Sequence, residues 1–309
     1  MKISKYLLFI LSSFIIFIML LLISITMLFI DIPNFSLKDT LDNGQGKVAK
    51  VIILAGQSNA SGFSKDEYLK NNISKEKYQE YENGYDNVYI NYFITNRKMS
   101  SGFVKCRNNQ GEPGGHFGPE LGLAEELSKQ YPDQMFFIIK YAWSATTLCK
   151  HWLSPSSSYL PGKLYNQLIK FVNCNIDYLI SKDYKVIVEG MCWMQGESDS
   201  YSLENSNNYE QNLINFIYDI RNEFKEHASY NGIAFIDAHI AINPRWTHNE
   251  IINASKDHVA NMSYINDVIN TNQEGLTFST EPDTAHYDSL SQIKLGNLFA
   301  QHLMKYIDK

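Results

Sequence analysis

This chain has no basic block of the kind that tracks a nucleic-acid backbone. Its 27 Lys and Arg stand against 33 Asp and Glu, a net charge of −6, so no nucleic-acid partner is expected. Cysteine is scarce. The four, Cys106, Cys149, Cys174 and Cys192, form no C-x-x-C pair and no metal-ligand spacing. Neither a zinc site nor a disulfide framework is therefore written into the sequence. Buried free thiols are the expectation, with one disulfide left open for an oxidising compartment. No cofactor and no metal are expected. Internal repeats and low-complexity tracts are also missing, and nothing in the sequence indicates an oligomeric state.

The N-terminus holds a long run with neither charge nor alanine. Residues 6–30 carry no charged side chain, and no Ala precedes Ala49. About 20 apolar residues span a bilayer core as a helix, longer than the apolar part of a secretory signal peptide. With no small-residue cleavage site and no Cys for a lipid anchor, residues 1–30 are expected to be an uncleaved signal anchor, one transmembrane helix. Secretion after cleavage is the alternative. Lys2 and Lys5 sit on the cytoplasmic side by the positive-inside rule, which puts the body of the protein outside the cytoplasm, at a cell surface or in a periplasm. Residues 31–48, with Asp31, Pro33, Lys38, Asp39, Asp42, Asn43, Gly44 and Gly46, read as a polar linker. The domain proper is expected over 49–309.

From Lys50 onward strand-like and helix-like segments alternate. Short apolar runs rich in Val, Ile, Phe and Tyr predict strands over 50–55, 87–92, 135–142, 185–194 and 233–238, as a parallel sheet covered on both faces requires. Helical periodicity predicts helices over 119–130, 163–181, 206–226 and 289–307. The expected fold is α/β, a three-layer α/β/α sandwich on a mainly parallel five-stranded sheet. The long polar segments 64–86, 95–117 and 243–282 are expected to be loops carrying specificity.

Ligands of an open parallel sheet bind beyond the carboxyl ends of its strands. Four segments end there. Ser58 follows the first strand in Gly56-Gln57-Ser58-Asn59-Ala60. The turn Trp143-Ser144-Ala145-Thr146 follows the third. Gln195-Gly196-Glu197-Ser198 follows the fourth. Asp283-Thr284-Ala285-His286 precedes the last helix. These residue types suit acyl transfer: Ser58 as nucleophile, His286 as base, Asp283 to fix the imidazole tautomer. The Ser58 N–H, an N–H of the 144–145 turn (Ala145) and the Gln195 amide are candidates for an oxyanion hole. Gln57 and Asn59 are expected to brace the nucleophile loop, and Glu197 to bind substrate or brace the active-site loop.

Gly56-Gln57-Ser58-Asn59-Ala60, Phe117-Gly118-Pro119-Glu120, Trp193-Met194-Gln195-Gly196-Glu197-Ser198-Asp199 and Asp283-Thr284-Ala285-His286-Tyr287 resemble the blocks of the SGNH hydrolase superfamily. Within it they are similar to the sialate O-acetylesterase-like branch that includes carbohydrate esterase family six. The resemblance covers roughly residues 50–305, and four blocks in order are specific where Asp-x-x-His alone is not. It implies a three-layer α/β/α fold and metal-free removal of O-acetyl groups from carbohydrates, with Ser58, Asp283 and His286 as the triad. It also places Gln195 where other branches have an Asn oxyanion donor. One departure stands out. The branch usually has Gly-Gly-Thr after the third strand, where this chain has Ser144-Ala145-Thr146. Ala145 is expected to offer its N–H provided that the turn avoids positive φ. Two other readings remain open: a non-catalytic carbohydrate-binding protein on a hydrolase scaffold, and an SGNH lipase or thioesterase with an apolar acyl groove.

Overall fold

Val51 to Ala55 are fully buried, as the middle strand of a sheet covered on both faces must be. They form the heart of β1 (Val48–Gly56). The computed structural model describes Pro33, residues 35–279 and residues 283–307. The apolar run 6–30 lies outside the described residues. Among those described, no helix is long and apolar enough to cross a membrane.

β1 is flanked by β7 (Met135–Ala142) and β8 (Lys185–Met194), both parallel to it. Beyond β7 lies β3 (Val88–Ile94), and beyond β8 lie β9 (Ala234–Ala238) and β10 (Asn266–Ile269), all parallel. β4 (Lys98–Met99) and β5 (Val104–Lys105) pair antiparallel with β3. All five expected strands are present, but the sheet is mixed and eight-stranded rather than five-stranded. The additions are short: β4 and β5 have two residues each, and β10 is a partly exposed Asn-Asp-Val-Ile. None of them makes an apolar run. A separate ribbon pairs β2 (Ser64–Lys65) with β6 (His116–Phe117).

Helices lie on both faces of the sheet. Along β8, Gly190 packs against Leu303 of one helix, while the Trp193 ring lies 4.8 Å from the Phe216 ring of another. Residues three apart on a strand face opposite ways. In chain order the helices are α1 (Ser58–Ser61), α2 (Asp66–Asn72), α3 (Lys75–Asn83), α4 (Glu120–Gln130), α5 (Lys163–Ser181), α6 (Leu203–Glu223), α7 (Asn249–Asn261) and α8 (Ser289–Leu303). The four helices expected from periodicity are α4, α5, α6 and α8. α2, α3 and α7 fall in segments read as polar loops. α3 buries only Tyr78 and Tyr81, too few apolar positions to set a period. It declares its start instead by its cap, where the Ser74 side chain accepts from the Lys77 N–H.

α4 and α8 cross at van der Waals contact through two glycines. A Cβ on Gly122 would sit 2.0 Å from the Ile293 carbonyl oxygen, and one on Gly296 would sit 2.1 Å from that of Pro119. This crossing locks the helix after His286 onto the helix after the Phe117–Glu120 block. Beneath it, Glu120 and Lys140 form an ion pair at 2.7 Å with both side chains fully buried.

The segment read as a linker is, from Phe35 onward, part of the folded unit. The Phe35 ring packs edge-on to Phe93 and Phe171, with centroids 5.3 and 4.9 Å away. Its carbonyl accepts from the Cys174 thiol at 2.9 Å. Thr40 and Leu41 donate their N–H groups to the Tyr178 hydroxyl, and Gly44 donates to the Lys182 carbonyl. Residues 35–47 thus form a strap across β3 and α5. All four cysteines are free; Cys106 and Cys192 are buried and the other two half-buried.

Candidate active site

The site is built where β1, β7 and β8 end together. The Gly56 carbonyl accepts from the Trp143 N–H at 3.0 Å, and the Gln57 N–H donates to the Met194 carbonyl at 2.9 Å. Backbone hydrogen bonds therefore tie the turn that carries Ser58 to both neighbouring loops. Gly56 is required there. Its φ is 142°, and a Cβ would lie 2.0 Å from the Met194 oxygen. Ser58 follows two residues later, 8% exposed, at the start of α1.

The second half of the constellation is also assembled. His286 Nδ1 lies 2.7 Å from Asp283 Oδ2. The other carboxylate oxygen, Oδ1, accepts from the N–H groups of Ala285 and His286 at 3.0 and 3.3 Å. Burial alone pushes the Asp283 carboxyl up. The His286 bond and the Ala285 N–H outweigh it and hold the carboxyl below its ordinary value. With Nδ1 turned to a carboxylate, the tautomer favoured by that bond has its proton on Nδ1 and leaves the Nε2 lone pair free.

Asn59 joins the two halves. Its Oδ1 accepts from the N–H of Tyr287 at 3.2 Å, next to His286, and its Nδ2 donates to Glu197 Oε1 at 3.0 Å. The Asn59 carbonyl takes the Gln292 amide at 2.6 Å, so α8 is fastened to the residue after Ser58. Glu197 is buried, and burial pushes its carboxyl up against the opposing pull of Asn59, Lys256 and His286. Its Oε2 has no hydrogen-bond partner among the described residues. Asn59 and Glu197 therefore act as braces here. Gln57 does the same through its Oε1, which accepts from Gln195 and from the Ser198 N–H, each at 3.3 Å.

Two expectations for the oxyanion hole need correction. Gln195 is fully buried, and its Nε2 donates to Asp199 Oδ2 at 2.6 Å and the Thr146 carbonyl at 2.8 Å. Both amide hydrogens are engaged inside the protein, so Gln195 props the 146 turn and offers no donor to a substrate. Ala145 does adopt a left-handed conformation, with φ of 56°, although it is not glycine. The Cβ strain of about 1–2 kcal/mol is held in place by neighbouring bonds. Thr146 Oγ1 donates to the Trp143 carbonyl and accepts from Trp152 Nε1, and Thr95 Oγ1 accepts from the Ser144 N–H. Ala145 is exposed, and its N–H meets no acceptor among the described residues.

Three contributors were not singled out in the sequence. Asp199 bonds Gln195 and also the N–H groups of Leu148 and Cys149. Glu112 takes the Ser61 hydroxyl at 2.6 Å and the Asn96 amide at 3.2 Å. Phe63 stacks on His286. Asp199 stood within a recognised block; Glu112 and Phe63 carry no local signal at all. No group of three or more His, Cys, Asp or Glu side chains among the described residues is arranged to hold a metal.

Ser58 after β1, the carboxylate-held His286 before α8 and the Ala145 N–H after β7 are the groups that acyl transfer calls for. The family model for the carbohydrate esterases described as sialic acid-specific acetylesterases (SASA) matches residues 48–305, and the chain belongs to that family. It is accordingly a carboxylic-ester hydrolase of the carbohydrate esterase class. No curated protein sequence matches significantly. Solved structures share the fold at low identity. A protein of Arabidopsis thaliana is 16% identical with a TM-score of 0.60, covering 84% of this chain and 99% of its own. NanS is 14% identical with a TM-score of 0.60, covering 86% and 99%. A carbohydrate acetylesterase of Xanthomonas citri is 14% identical with a TM-score of 0.56, covering 83% of this chain and 56% of its own.

Proposed function

We propose that this chain removes O-acetyl groups from carbohydrates through an acetyl-Ser58 intermediate. Ser58 Oγ attacks the acetyl carbonyl while His286 Nε2 takes its proton. The N–H groups of Ser58 and Ala145 receive the developing oxyanion. The sugar hydroxyl leaves with the proton from His286. Water, deprotonated by the same imidazole, then hydrolyses the acetyl-Ser58. The observation that carries this reading is the Asp283–His286 pair, joined through Tyr287 and Asn59 to the residue beside Ser58. The family description supports an acetylated sugar as substrate, and a three-layer SGNH arrangement accords with helices on both sheet faces.

The test is acetate release from acetylated sugars by the full chain and by Ser58→Ala. The wild type is expected to release acetate and the variant to lose at least a thousandfold in kcat. Equal rates would overturn the assignment. The uncharged run 6–30, behind Lys2 and Lys5, supports a further proposal: membrane anchoring with the esterase domain outside the cytoplasm. Recovery of the full chain in the soluble fraction of lysed cells would contradict it.

A further inference from the structure

The Phe63 ring lies almost parallel to the His286 imidazole, with centroids 4.2 Å apart and an interplanar angle of 9°. Phe63 is only half-buried, so apolar burial is not its sole role. The contact is held from both sides along the chain. The Gly62 carbonyl before it accepts from the Glu112 N–H at 2.8 Å. The Ser64 hydroxyl after it donates to the carbonyl of Tyr287 at 2.7 Å, one residue beyond His286. Ser64 is also paired with Phe117 in the small ribbon. The ring is therefore fixed over the imidazole by bonds on both sides of Phe63, one of them to the residue after His286.

Two neutral rings gain little from lying face to face, because their quadrupoles prefer offset or edge-on contact. A cationic ring over an aromatic face is attracted to it. The imidazole is neutral in the resting triad and cationic when it holds the Ser58 proton. The stack is thus stronger in the transition state than in the ground state, the condition for an interaction to raise rate rather than affinity. We propose that Phe63 is a positioning residue for the esterase reaction, which holds the His286 plane and favours the imidazolium formed as Ser58 attacks. The inference rests on the reading of His286 as the base.

Among the described residues, the titratable groups near the imidazole include Asp283 on its own loop, Glu197 from the turn after β8, and His116 of β6, whose ring lies 6.2 Å from that of Phe63. Phe63 lays an uncharged π face against the imidazole. Removing it should disfavour the cationic imidazole while leaving both carboxylates in place. The acid limb of the pH–rate profile should then move to lower pH.

The experiment compares full-length wild type, Phe63→Leu, Phe63→Tyr and His286→Ala on a soluble acetate ester across pH 5–9, with melting curves alongside. Phe63→Leu keeps apolar bulk but no π face. It is expected to lower kcat about tenfold, equivalent to about 1.4 kcal/mol in the barrier, with KM little changed and the acid limb displaced to lower pH. Phe63→Tyr is expected to restore rate and profile to within about twofold. The proposal is overturned if Phe63→Leu keeps the wild-type rate and profile, or if Leu and Tyr lose rate equally and in step with melting temperature. His286→Ala separates the two levels. A large loss there with a normal Phe63→Leu removes Phe63 alone, whereas an active His286→Ala removes the triad reading itself.

Discussion

Asp283 holds His286 with one carboxylate oxygen and its own loop with the other: Oδ2 meets Nδ1 at 2.7 Å while Oδ1 takes the Ala285 N–H at 3.0 Å. Asn in place of Asp283 retains an acceptor for the loop but loses the charge behind the imidazole. Asp283→Asn is therefore expected to lower kcat by about 10³–10⁴-fold with KM and melting temperature nearly unchanged. The check is steady-state acetate release beside a thermal melt. A loss smaller than tenfold would take Asp283 out of the triad. The depressed Asp283 carboxyl is ionised well into the acidic range. In wild type, then, activity lost on mild acidification is not expected to come from protonation of Asp283.

Ala145 carries its strain in the folded state alone. Glycine removes the Cβ clash of about 1–2 kcal/mol and returns part of it as unfolded-chain entropy, leaving a net gain of about 0.5 kcal/mol. Ala145→Gly should raise the melting temperature by about 1 °C and keep kcat, since the N–H is unchanged. A lower melting temperature would show that the turn holds no strain to release.

Lys140 and Glu120 are a fully buried pair, and Glu120 Oε1 also accepts the Gly118 N–H at 2.8 Å. Lys140→Met strands a buried carboxylate and should cost about 3–5 kcal/mol, whereas Lys140→Met with Glu120→Gln should recover most of that. Denaturant unfolding of the two variants decides it. A single variant as stable as the double would mean that the pair does not behave as an ion pair.

Asp267 faces His302 and Lys305 at 2.8 Å each. Burial pushes its carboxyl up, but these two partners pull it down to about 2. The sign follows from linkage. A carboxyl lower in the folded than in the unfolded chain stabilises above the unfolded value of about 3.9 and loses that stabilisation as pH falls towards 2. The Asp267 side chain is 20% exposed, and solvent screening of the pair leaves about 1 kcal/mol. Asp267→Asn should be less stable than wild type at pH 6 and match it near pH 2. A difference that persists at pH 2 would assign the effect to packing instead.

The central strands and the Ser58, Asp283 and His286 positions were legible because they are local. A buried strand announces itself by an apolar run, and the blocks stand in chain order. What a side chain spends its hydrogen bonds on is not local. Gln195 reads as a donor in sequence, yet its hydrogens go to Asp199 and Thr146, a fact settled by how the 146 turn folds back. The left-handed Ala145 is hidden for the opposite reason. Nothing in an alanine announces a positive φ, and the bonds that enforce it come from Thr95 and Trp152. Phe63 and Glu112 sit in polar stretches where periodicity is silent, and they meet the site through long-range contacts, Phe63 with His286 and Glu112 with Ser61.

The strap that begins at Phe35 bears on the order in which the molecule can be made. Its ring socket is formed by Phe93 and Phe171, and its backbone is held by Tyr178 and Lys182. On a ribosome the strap emerges long before α5 exists, so it must wait undocked while more than a hundred further residues are synthesised. Such distant contacts form after the loops between them have closed. Synthesis begins at this end of the domain, and closure finishes there.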